Sequence, residues 1–100
     1  MEDFKQVLNT EKPVLVDFYA TWCQPCKMQA PILEKVKNQV GDRAVIIKVD
    51  IDKNQNLAQE YMVQSIPTLI LFKNGEPAWR KSGLQTEGTI VSVIEQHENK

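Results

Sequence analysis

The sequence is poor in the residues that mark several classes of protein. Its 100 residues include one histidine, two cysteines and four glycines, and its 12 basic residues nearly balance 13 acidic ones. This balance gives no electrostatic reason to expect binding to nucleic acid or to an anionic membrane. No apolar run approaches the roughly 18 residues that a membrane span requires. Two cysteines are also too few for a disulfide-rich secreted framework.

The composition that remains is that of an ordinary globular protein, with 42% hydrophobic and 25% charged residues. We expect residues 1–100 to form one domain with a core of its own. The first residues, Met1 to Lys5, contain no apolar signal segment, which predicts a cytoplasmic protein. A chain from which such a segment had been removed would look the same, so an exported compartment stays open.

The two cysteines, Cys23 and Cys26, stand two residues apart, directly after the apolar run Val14–Tyr19. The run predicts a buried strand, and the segment that follows Cys23 predicts a helix. Cys23 would then lie at a helix N-terminus, where the helix dipole favours a thiolate. A C-x-x-C pair near a strand–helix–strand pattern indicates a redox-active dithiol.

The remaining pattern alternates short helices and strands. Asn74-Gly75 predicts a tight hairpin between the last two strands, and Thr86 is a candidate N-cap. The long helix carries an apolar stripe in which we include Met28, and Trp79 is predicted to pack on a strand face. The predicted helices cover 4–9, 23–40, 54–61 and a segment after 86, and the predicted strands cover 14–19, 44–50, 68–72 and 77–83.

Several stretches together resemble the thioredoxin family over nearly the whole chain. They are residues 16–27 (VDFYATWCQPCK) with Ala30-Pro31, then 48–52 (KVDID), 65–68 (SIPT) and 71–75 (LFKNG). The resemblance implies an α/β thioredoxin fold with a mixed central sheet of four or five strands and helices on both faces. Two departures stand out: Gln24 replaces the usual glycine, and the short start leaves little room for a first strand. Strand 44–50 would then lie at a sheet edge.

For function, the resemblance implies a small thiol–disulfide oxidoreductase that reduces protein disulfides and is re-reduced by a thioredoxin reductase. Its only redox centre would be the Cys23–Cys26 disulfide, with no other cofactor and no metal. We predict that an exposed Cys23 attacks the client disulfide and that a shielded Cys26 resolves the mixed disulfide. A structural disulfide and half of a zinc site are the alternatives, although the single histidine, His97, lies on a separate predicted helix.

Asp17 is the only charged residue in its predicted strand. Burial without a partner would raise the pKa of its carboxyl group. Such an acid could accept the proton of Cys26, a role that the resemblance favours over a solvated position at a strand edge. Lys48 matches a buried lysine of the family that approaches this acid. We therefore count Cys23, Cys26, Asp17 and Lys48 as the candidate catalytic residues.

From the general frequency of cis X–Pro bonds, the Ile66–Pro67 peptide bond would be trans. The resemblance instead implies a cis bond beside the dithiol. The exposed backbone of Ile66 could then pair with an extended client segment. A client-docking patch is expected around Cys23. Its predicted members are Trp22, Gln24, Pro25, Ile51, Ile66, Pro67 and Gly83.

The expected partners are disulfide-containing client proteins and a thioredoxin reductase, with a monomeric chain and neither nucleic acid nor membrane. Three alternatives remain open. The chain could be a disulfide oxidant or isomerase of an exported compartment, because Gln24 could shift the reduction potential in either direction. It could be a non-catalytic binding module with an incidental dithiol, or it could bind a metal or iron–sulfur cluster across a dimer.

Overall fold

The computed structural model describes residues 3–98, in which four helices surround four strands and one 3₁₀ turn spans Gly41–Arg43. The bounds agree with the predicted ones to within about one residue. The helices are α1 Phe4–Leu8, α2 Gln24–Val40, α3 Gln55–Glu60 and α4 Glu87–Gln96, and the strands are β1 Val14–Tyr19, β2 Val45–Asp50, β3 Thr68–Lys73 and β4 Glu76–Ser82.

The strands form one mixed sheet in the order β2-β1-β3-β4. β2 is parallel to β1, to which α2 connects it, while β3 is antiparallel to β1 and β4 to β3. Asn74 and Gly75 adopt positive φ angles of 53° and 83° in the β3–β4 hairpin, as its sequence predicts. The expected four-stranded sheet is confirmed, and in the described part of the chain β2 lies at its edge.

Alternation along β1 directs side chains into two apolar layers, one on each side of the sheet. Leu15 packs in the layer beneath α2 and α4, whereas Val14, Val16 and Phe18 pack with Phe4 in the layer beneath α1. Trp79 of β4 packs against the α2–α4 layer, as predicted. Because Asp17 follows Leu15 by two residues, its carboxyl group enters the same side of the sheet as α2.

The buried face of α2 differs from the predicted stripe. Met28 is 53% exposed, so its assignment to the core is wrong. The residues of α2 that face the sheet are Cys26, Gln29, Leu33, Val36 and Val40. Their spacing of three and four residues is that of one helix face, and Met28 lies outside it.

Candidate active site

The two cysteines are joined in a disulfide at the start of α2, with their Cα atoms 5.2 Å apart. Cys23 is the N-cap residue of the helix, and its sulfur accepts a hydrogen bond from the backbone N–H of Cys26 over 3.2 Å. Pro25 occupies the first turn, where its missing N–H leaves no intrahelical bond unmade. The N–H groups and the dipole of a 17-residue helix therefore point towards this sulfur.

The prediction that Cys23 is the exposed cysteine is wrong for this oxidised structure. Cys23 is 5% exposed and Cys26 is 4% exposed, so both residues are buried. Ile51 and Ile66 pack against the cluster formed by Ala20 and the two cysteines. The Cys23 sulfur also lies 3.7 Å from the carbonyl oxygen of Ile66. Cover from these two loops explains the shielding.

The Ile66–Pro67 peptide bond is cis, as the resemblance implied. Its segment faces the disulfide through the Ile66 carbonyl, and Gly83 donates its N–H to the Pro67 carbonyl oxygen over 2.8 Å. Gly83 has a φ of 88°, a value that favours glycine over residues with a side chain. The structure thus places Cys23, Ile66, Pro67 and Gly83 in one continuous region.

Trp22 extends from this region as a largely exposed side chain, with 67% of its surface accessible. Its indole N–H donates to the Asp52 carboxylate over 2.9 Å, which fixes one edge of the ring. Gln24 and Pro25 are exposed at the first turn of α2. Sequence reasoning missed Asp52, and its position in a polar turn after β2 gave no signal of the contact.

Asp17 is fully buried, and neither carboxylate oxygen has a hydrogen-bond partner. Burial raises the pKa of Asp17 from 3.8 to about 6, and the positive charge of Lys48 opposes that rise. Lys48 is the neighbour of Asp17 in the β1–β2 register, so the two side chains share one face of the sheet. The predicted burial of Asp17 is confirmed.

Lys48 itself is exposed, and the expectation of a buried lysine is wrong. β2 is an edge strand, so the flexible side chain can leave the sheet and keep its ammonium group in water. Its Nζ lies 4.7 Å from the centre of the Tyr19 ring, a cation–π geometry. Lys48 and Cys26 both line a cavity of about 210 Å³, together with Tyr19 and Lys27.

Among residues 3–98, no group of three or more His, Cys, Asp or Glu side chains is arranged to hold a metal ion. The same residues include no helix with the length and apolar character needed to cross a bilayer.

A C-x-x-C disulfide at the start of a helix, beside a cis-proline loop and a mixed sheet, defines the class of thiol–disulfide oxidoreductases. The sequence model of the family described as Thioredoxin matches residues 1–96. Thioredoxin of Rickettsia felis is 44% identical over 90 residues, which cover 90% of this chain and 86% of that protein. The bifunctional thioredoxin reductase/thioredoxin of Mycobacterium leprae is 46% identical over 88 residues, covering 88% of this chain and 19% of that protein.

Among solved structures, a mutant thioredoxin from Halobacterium salinarum matches with a TM-score of 0.90 and 37% identity, over 100% of this chain and 87% of that one. The chain belongs to the thioredoxin family. It is accordingly a protein disulfide oxidoreductase whose redox-active pair is Cys23 and Cys26.

Proposed function

We propose that the chain reduces disulfides of client proteins, with Cys23 as the nucleophile and Cys26 as the resolving residue. The observation that carries this order is the hydrogen bond from the Cys26 N–H to the Cys23 sulfur at the N-cap of α2. After reduction, that N–H and the helix dipole would stabilise negative charge on Cys23 and lower the pKa of its thiol.

Electrons and protons balance over two exchanges. The Cys23 thiolate attacks one sulfur of the client disulfide, forming a mixed disulfide and releasing the first client thiolate. The Cys26 thiol then loses its proton and attacks the Cys23 sulfur, which forms the Cys23–Cys26 disulfide and releases the second client thiolate. Two electrons pass from the dithiol to the client. The oxidised state, in which Cys23 and Cys26 are joined, would be the product of this cycle.

We assign Asp17 as the base that receives the Cys26 proton and Lys48 as the residue that tunes it. The support is a pKa of about 6 for Asp17, which is close to the working pH of a general base, and the charge of Lys48 on the same face of the sheet. Cys26 and Lys48 also line one cavity of about 210 Å³, which places the tuning lysine near the cysteine that loses the proton.

The client would dock on the patch made by Trp22, Gln24, Pro25, Ile51, Ile66, Pro67 and Gly83. Exposed Trp22 supplies apolar area, and the backbone carbonyl oxygen of half-buried Ile66 lies 3.7 Å from the Cys23 sulfur. An extended client segment could pair with the backbone at Ile66 in the manner of an added strand.

A thioredoxin reductase is the proposed electron donor, and the fused reductase of the Mycobacterium leprae relative supports that pairing. This direction of electron flow fits a reducing compartment such as the cytoplasm, where cellular reductants keep thiols reduced. We propose that the chain acts as a monomer and needs no cofactor beyond its own disulfide.

The role assignment is tested by trapping. Cys26→Ser should accumulate covalent client adducts through Cys23, because the second exchange is blocked, whereas Cys23→Ser should accumulate none. The double variant Cys23→Ser/Cys26→Ser is the matched control. Adducts are counted by non-reducing electrophoresis and mass spectrometry after incubation with oxidised client. Adducts on Cys23→Ser but not on Cys26→Ser would reverse the two roles. Equilibration with glutathione then gives the reduction potential, which separates a reductant from an oxidant.

A further inference from the structure

One polar residue interrupts the buried face of α2. Gln29 is 0% exposed and follows Cys26 by three residues, so it lies one turn further along the same face. The other buried residues beyond it on this face, such as Leu33 and Val36, are apolar. A side-chain amide placed among them carries a desolvation cost unless its hydrogen bonds are satisfied. Sequence reasoning missed this residue, although a glutamine inside an apolar helix stripe was a usable signal.

Both polar atoms of Gln29 bind the backbone of one residue in the β4–α4 loop. Its Nε2 donates to the Gln85 carbonyl oxygen over 3.1 Å, and its Oε1 accepts from the Gln85 N–H over 2.9 Å. Only one orientation of the amide allows both bonds. These two hydrogen bonds join α2 to the loop and fix the distance between them. An apolar side chain at position 29 would not fix that distance.

The loop that Gln29 holds is also bound to the segment opposite the disulfide. Gly83 donates its N–H to the Pro67 carbonyl oxygen, and the Gln85 side chain donates to the Gly83 carbonyl oxygen over 3.2 Å. The Ile66 carbonyl of that same segment lies 3.7 Å from the Cys23 sulfur. A continuous series of contacts therefore runs from Gln29 of α2 to the Gly83–Gln85 loop, from this loop to the Ile66–Pro67 segment, and from that segment to the Cys23 sulfur.

We propose that Gln29 is a positioning residue that sets the distance between the Gly83–Gln85 loop and α2, and with it the width of the site that a polypeptide client enters. This inference rests on the proposed reduction of client proteins. The side-chain amide of Gln29 bonds to Gln85 rather than to either sulfur, so we expect it to act on client binding rather than on thiol chemistry. A small disulfide that reaches Cys23 without contacting the loop does not depend on it.

The test compares Gln29→Leu with Gln39→Leu, which makes the same change on the exposed face of the same helix. With insulin as the protein disulfide and dithiothreitol re-reducing Cys23–Cys26 after each turnover, KM of Gln29→Leu should rise about five- to tenfold at unchanged kcat, because two hydrogen bonds that order the loop are lost. The rate at which the protein, reduced beforehand and freed of reductant, reacts with the small aromatic disulfide dithiobis-nitrobenzoate should stay within about twofold of the parent rate. Amide exchange at Gly83 and Gln85 should be at least about tenfold faster. Gln39→Leu should match the parent in all three measurements.

Three outcomes would overturn the proposal. One is an unchanged KM for insulin, another is a raised KM without faster exchange at Gly83 and Gln85, and the third is an equal loss on both disulfides. Should Gln29→Leu fold poorly, the parent protein still provides a test, because unprotected amides at Gly83 and Gln85 would contradict an ordered loop. If the parent reduces neither disulfide, the proposed function fails, while the exchange data still report whether Gln29 orders the loop.

Discussion

At the scale of single residues, the structure is most unusual at Asp17. A fully buried carboxyl group without a hydrogen-bond partner is an energetic cost to a small protein. Asp17 nevertheless lies on the α2 side of the sheet, and α2 begins next to Cys23. Such an arrangement is expected where a raised pKa has a use, as it does for a group that must accept a proton near neutral pH.

The cost of Asp17 can be measured through the pH dependence of stability. Its folded-state pKa of about 6 exceeds the ordinary value of 3.8, so the folded state favours the protonated carboxyl. The stabilisation is fully present below about pH 3.8 and is lost as the pH rises through 6. The difference between these two pKa values corresponds to about 3 kcal/mol in the free energy of unfolding. We expect Asp17→Asn, whose side chain does not titrate, to lack this loss.

The measurement is the free energy of unfolding in urea between pH 4 and pH 8, for the parent and for Asp17→Asn, both oxidised. Because all other titrating groups are common to the two proteins, the change in their difference isolates Asp17. From pH 4 to pH 8, the free energy of unfolding of Asp17→Asn should rise by about 2–3 kcal/mol relative to that of the parent. A difference that stays constant with pH would mean that Asp17 has an ordinary pKa.

At the scale of elements, α2 performs two tasks with one helix. Its first turn presents the dithiol, and its buried face anchors that turn to the sheet through Leu33, Val36 and Val40. Rigid anchoring matters because the sulfurs must meet a client within a narrow geometry. The opposite side of the helix, which includes Met28, is left to solvent.

The division of α2 into two faces predicts unequal effects of truncating its large apolar side chains. Leu33→Ala should lower the free energy of unfolding by about 2–5 kcal/mol, because it leaves a cavity between helix and sheet. Met28→Ala, the matched change on the exposed side, should alter it by no more than about 0.5 kcal/mol. Urea unfolding of both variants in the oxidised state checks this. A loss of stability in Met28→Ala as large as that in Leu33→Ala would show that Met28 belongs to the core.

The order of the elements could be predicted from the sequence because each one carries a strong local signal. The largely apolar run of β1, the Asn74-Gly75 turn and the Thr86 cap each fix a conformation through neighbouring residues alone. The exposure of Met28 and the shielding of Cys23 could not be predicted in this way. They depend on the rotation of α2 about its axis and on the positions of the loops that carry Ile51 and Ile66. Packing between segments that are distant in the sequence sets both.

At the scale of the whole molecule, the two edges of the described sheet differ in how they resist pairing with another chain. β4 carries Glu76, Pro77, Arg80 and Lys81, whereas the exposed charge within β2 is Lys48. The Val45 N–H donates to Pro13 and the Ile51 N–H to Tyr19, so these alternate residues face β1. By the same alternation, Ile46, Lys48 and Asp50 direct their backbone N–H and C=O groups away from the sheet.

Lys48 is therefore the side chain best placed to keep this edge from pairing, since a charged residue on an edge strand opposes the approach of a second strand. We expect the parent to stay monomeric in sedimentation equilibrium at about 100 µM, and Lys48→Val to self-associate. Lys35→Val, which removes an exposed lysine from α2, is the control and should remain monomeric. A monomeric Lys48→Val would show that the backbone of β2 is protected by something other than this charge.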